Sequence, residues 1–120
     1  MGNTVWILSE SRDSDNWDHS LLLKFEKSLN KLAREIGVAR ISDFYDKSIL
    51  AEEFGEELES LFCDPSELEK VLYAIIAAIK QGHSPKLQGE TELLEDLEDC
   101  ISKVTMAKNS REKVRVAIVP

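Results

Sequence analysis

Asp15, Asp18 and His19 fall within five consecutive residues, a carboxylate and imidazole grouping that can supply a general base and the group that orients it. Arg12, three positions before Asp15, adds a guanidinium suited to holding an anion. A catalytic or small-ligand site in residues 9–19, with Asp15, Asp18 and His19 as base and orienter and Arg12 as anion contact, is therefore one reading of the chain. The alternation of Asp13, Asp15 and their neighbours also suggests oxygen ligands for a hard cation. An EF-hand loop, however, needs a ligand where Trp17 stands, a glycine after it and a bidentate glutamate further on. None is in register, and no metal is expected.

The same residues have a structural reading. With Asp18 as the cap of a helix, Trp17 stands just before the cap and Leu22 four positions after it, the spacing of a hydrophobic staple. On that reading the polar cluster marks a helix start.

A second group of residues carries charge rather than chemistry. Between Ile49 and Glu69 there are eight acids and no base, among them Glu52, Glu53, Glu56, Glu57 and Glu59. Between Glu90 and Asp99 there are six more, including Glu92, Glu95, Asp96 and Asp99, again with no base. The remaining chain holds nine acids against 15 bases, so the net charge of −8 is distributed as two acidic stretches on a basic background. Glu52 with Glu56, Glu53 with Glu57, Glu92 with Asp96 and Glu95 with Asp99 are like charges at helical i,i+4 spacing, which opposes helix formation by ~0.2–0.5 kcal/mol each. Something must offset them. The answer is internal, from the basic carboxyl-terminal segment or the first helix, or external, from a positively charged partner.

Hydrophobic periodicity gives the elements that position these groups. Residues 4–8, Thr-Val-Trp-Ile-Leu, read as a buried strand, and residues 113–119 alternate as a second. Residues 38–41 are a third, weaker strand candidate. Four helical patterns lie between the ends. The first covers residues 19–36 and stops at Gly37, with Lys24, Lys27, Lys31 and Arg34 on its outer face. The second covers residues 48–62, with Gly55 as a potential break. The third opens on Asp64-Pro65-Ser66-Glu67, a capping carboxylate followed by proline at the first helical position, and is the most apolar segment of the chain. The fourth covers residues 91–108. Asp43 and Asp46 read as turn and capping residues before the second helix.

The prediction is one globular domain, residues 1–120, of α+β class: about four helices packed on a small two- or three-stranded sheet formed by the chain termini, with an open α/β sheet as the alternative. At 120 residues such a chain buries a core without a disulfide or metal staple. Cys63 and Cys100 are far apart and form no C-x-x-C pair, so reduced thiols are expected. No stretch reaches the ~20 apolar residues of a membrane span, and no secretory lead is evident, which points to the cytoplasm.

Phosphate-cradling glycine loops and nucleophile elbows are absent from the sequence, and no cofactor is expected. His19, His83, Cys63 and Cys100 are too scattered for zinc. Nucleic-acid binding is not expected, because the acidic surface would repel phosphate. The function expected is a small, cytoplasmic, non-catalytic binding protein that uses Glu52, Glu53, Glu56, Glu57, Glu59, Glu92, Glu95, Asp96 and Asp99 on a basic protein partner. One concrete form is an immunity- or inhibitor-type protein. Unpaired strand edges in so small a sheet would favour a homodimer.

Overall fold

The computed structural model describes residues 3–11 and 18–120. Three strands form one mixed sheet: β1 (Thr4–Ser9), β2 (Tyr45–Asp46) and β3 (Val114–Val119), in the order β1-β3-β2. The two ends of the chain meet as the sequence predicts, β1 running antiparallel to β3 from Thr4↔Val119 to Ser9↔Val114. β2 adds in parallel on the other side, Tyr45 opposite Val116 and Asp46 opposite Ala117. Alternation then gives the sheet two apolar faces. Val5, Ile7, Val114, Val116 and Ile118 enter the main core, whereas Leu8, Ala117 and Val119 join Trp6 and Ile49 in a smaller cluster on the opposite face. The fold is α+β.

Among the described residues five α-helices accompany the sheet: α1 (Ser20–Lys24), α2 (Glu26–Ile36), α3 (Ser48–Glu53), α4 (Pro65–Lys80) and α5 (Thr91–Asn109). α4 is the central helix, its start fixed as the sequence indicates, with Asp64 Oδ1 accepting the Ser66 amide at 2.8 Å and Pro65 in the first turn. Leu68, Leu72, Ile75 and Ile79 are each at most 1 % exposed, which places the middle of the core along this helix. α5 packs against it through Leu93, Leu97, Cys100 and Val104, and Leu87 closes the core from the connecting loop.

Three sequence expectations are corrected. The first helix is interrupted at Phe25, whose φ of −102° separates α1 from α2 although the 3.0 Å bond from its amide to Leu21 O and the 2.9 Å bond from Leu29 continue across it. Residues 38–41 form no strand. There Asp43 accepts from the Arg40 amide at 3.2 Å and the Arg40 guanidinium at 2.9 Å, and these local bonds wind Ile41–Phe44 into a 3-10 turn before β2 begins.

The third correction is the second helix, which ends at Glu53 rather than at residue 62. Gly55 takes the left-handed conformation, φ 74°, and donates to Glu52 O at 3.1 Å, while Glu56 donates to Ala51 O at 2.9 Å. This pair of bonds is a helix-ending motif that satisfies the last carbonyls and turns the chain away. Glu56 and Glu57 therefore lie beyond the helix, and their expected i,i+4 repulsion with Glu52 and Glu53 has no helical geometry in which to act.

Candidate functional site

The region around His19 is held by polar contacts that are long-range in sequence. His19 is fully buried between β1 and α5. Its backbone amide and its Nδ1 both lie within reach of the Val5 carbonyl, at 2.9 and 3.1 Å, and Nε2 lies 2.7 Å from Asp99 Oδ2. A carbonyl only accepts, so Nδ1 carries a proton. Asp99 also accepts Lys103 Nζ at 2.8 Å. Burial by itself pushes the Asp99 carboxyl up, but the hydrogen bonds from Lys103 and His19 overturn that and hold it below the usual carboxylate range. With Nε2 against the carboxylate that Lys103 also holds, the ring closes a His19–Asp99–Lys103 bracket.

That bracket leaves little room for base catalysis, since both ring nitrogens are engaged and the ring has no exposed surface. Asp18 does not cap the helix, contrary to the sequence reading. The cap position is His19, without a side-chain cap bond, and Asp18 Oδ1 instead accepts Trp6 Nε1 at 2.6 Å. The long-range indole bond fixes the carboxylate toward β1 rather than over the helix end. Asp15, Arg12 and the Trp17 half of the staple lie outside the described residues. Of the preceding loop, Ser11 Oγ donates to Glu112 at 2.8 Å and Glu10 accepts the Lys113 amide at 2.6 Å, contacts that tie the end of β1 to the start of β3.

The fold divides the two acidic stretches. Two carboxylates on α5 are answered from within, Asp99 by His19 and Lys103 and Glu98 by Lys80 at 3.4 Å, while Asp96 is buried at 5 % exposure. Glu92 and Glu95 remain exposed and share with Asp18 and Asp96 a shallow cleft of about 350 Å³. Glu69, at the end of the first acidic stretch, accepts from Thr105 at 2.8 Å and Lys108 at 3.1 Å, bonds that hold its carboxyl below the usual range.

Glu52, Glu53, Glu56, Glu57 and Glu59 differ. All five are exposed, and among the described residues none of their carboxylates has an ion-pair or hydrogen-bond partner. Four large apolar side chains stand among and just after them, Phe54 at 76 % exposure, Leu58 at 57 %, Leu61 at 46 % and Phe62 at 42 %. The segment is nonetheless anchored. At its start are the bonds around Gly55, and at its end Cys63 exchanges backbone bonds with Val114 at 2.8 and 3.1 Å. Between them Arg115 of β3 donates to Ser60 Oγ at 3.0 Å and lies over the Phe62 ring, 5.6 Å from its centre. Arg115 in turn is placed 3.4 Å from the buried Asp46, whose carboxylate also accepts the Ser48 amide and hydroxyl at 3.0 and 3.1 Å.

Sequence periodicity missed this strap because its apolar residues follow a helical spacing that Gly55 interrupts. The readable signal was that glycine. Elsewhere the chemistry is quiet: burial pushes the Cys63 thiol up to about 11, which disfavours the nucleophilic thiolate, and burial likewise raises the Tyr45 phenol above its usual range. Neither Cys63 nor Cys100 forms a disulfide. Among the described residues no group of three or more His, Cys, Asp or Glu side chains is arranged to hold a metal, and no helix is long and apolar enough to cross a membrane. Comparisons of the chain with protein-family models, curated proteins and solved structures find no match.

Proposed function

We propose that this is a non-catalytic binding protein that docks a basic protein partner on the strap formed by the end of α3 and residues 54–62. The observation that carries the proposal is the set of five carboxylates without a partner among the described residues, accompanied by four exposed apolar side chains. A solvated acidic face needs no Phe54 or Leu58 at its surface. An interface does, because apolar anchors supply affinity while charge speeds the encounter and selects the partner. A cytoplasmic setting belongs to the same proposal and is supported by two cysteines that form no disulfide. An immunity- or inhibitor-type protein, whose glutamates occupy the phosphate-binding surface of a nuclease-type partner, is one form it would take. The alternative of a catalytic site at His19 draws no support from a ring whose two nitrogens are both engaged.

Affinity capture from the cells that make the protein tests the proposal, with wild type run beside a variant carrying glutamine at positions 52, 53, 56, 57 and 59. The expected outcome is a basic protein retained by wild type in low salt, weakened in high salt and lost by the variant. Retention of the same proteins by both chains, indifferent to salt, would refute the role of the strap.

A further inference from the structure

We infer that the strap recognises its partner by strand addition, pairing residues 57–62 with an extended segment that carries basic side chains at alternate positions; this rests on the proposed function above. Between the amide of Glu56, bonded to Ala51, and the amide of Cys63, bonded to Val114, no backbone group makes a backbone hydrogen bond among the described residues. Six consecutive exposed residues thus have backbone donors and acceptors without a backbone partner among the described residues. Their C-terminal neighbour Cys63 is already paired antiparallel with β3, so the strap leaves the sheet from a strand position.

Its side chains follow a strand's period. Ser60 and Phe62, two residues apart, both meet Arg115 and so share one face. Glu57, Glu59 and Leu61 then share the other. An incoming strand meets this order of charge and apolar surface through its cross-strand neighbours, so lysine or arginine opposite Glu57 and Glu59 and an apolar residue opposite Leu61 give the complementary pattern. Main-chain bonds supply affinity in such additions and the alternate side chains supply selection. The charge on the strap also explains how the exposed edge avoids pairing with a second copy of itself, since its own glutamates would then face each other.

The test uses isotopically labelled full-length protein and two synthetic peptides of one sequence, whose alternate positions carry lysine, lysine and valine in the order that faces Glu57, Glu59 and Leu61. One has an unmodified backbone. The other is N-methylated at every second amide, which keeps the charge and removes the donors of one edge. The unmodified peptide is expected to shift the resonances of residues 57–62 and slow exchange of their amides, and N-methylation is expected to weaken binding by roughly tenfold or more, the loss of two or three net backbone bonds. Equal binding of both peptides at the strap would overturn strand addition while leaving recognition by the acidic strap intact. Binding of neither peptide at residues 57–62 would overturn both.

Discussion

Burial alone would raise the Asp99 carboxyl, and it is the hydrogen bonds from Lys103 and His19 that bring it below the usual carboxylate range. A folded-state value below the unfolded one stabilises the protein fully above the unfolded carboxylate range, near pH ~4, and that contribution is lost as pH falls through the lower folded value. Asp99→Asn is therefore expected to destabilise the protein at neutral pH by about 1–2 kcal/mol, a figure kept small because the carboxylate is partly screened by solvent. The difference from wild type should shrink on acidification. Urea unfolding midpoints from neutral pH to well below the carboxylate range check this, and a difference that stays constant would remove Asp99 from the acid response. The pairing of Asp99 with Lys103 is legible at i,i+4 spacing. The third member, His19, lies 80 positions away, and no local pattern points to it.

The element that most changes between sequence and structure is the second helix. Leu50, Phe54, Leu58 and Leu61 fit a helical face, but the left-handed Gly55 ends the helix and converts its second half into a strap. A Cβ at Gly55 would touch nothing within 4 Å, so the cost of a side chain there is backbone strain alone. Gly55→Ala should lose about 1 kcal/mol, the left-handed penalty less the entropy that alanine removes from the unfolded chain. Arg111 provides the converse. It ends α5 with φ 58°, its amide bonded to Lys108 O at 3.1 Å and the next amide to Ala107 O at 2.9 Å. Arg111→Gly should gain stability by a fraction of a kcal/mol to about 1 kcal/mol. Denaturant midpoints of the two variants are expected to move in opposite directions, and movement in the same direction would contradict the shared cause.

Across the whole molecule, charge is sorted by what the fold can answer. Asp99 and Glu98 of α5 and Glu69 of α4 find His19, Lys103, Lys80 and Lys108, whereas among the described residues the carboxylates of Glu52, Glu53, Glu56, Glu57 and Glu59 find no partner. Replacing Glu52, Glu53, Glu56, Glu57 and Glu59 together with glutamine should therefore leave stability within about 1 kcal/mol of wild type or raise it slightly, since self-repulsion falls while no native contact is removed. Thermal melts at low ionic strength check this. A large loss would mean that the five carboxylates have a structural role after all. Loss of partner binding in the same stable variant would locate their role outside the molecule.

The sequence by itself determined the α+β class, the meeting of the two termini in one sheet, the central helix with its Asp64-Pro65 start and the uneven distribution of charge. These follow from short-range periodicity, capping chemistry and composition, which act within a few residues. Tertiary structure decided which carboxylates are answered, where the polar bracket around His19 closes and how far the strap stands from the core. Those outcomes depend on which distant side chains arrive at the same place. Asp18 meets Trp6 and Arg115 meets Phe62 only because the approach to α1 converges on β1 and the strap on β3, and convergence of that kind has no period for a sequence to display.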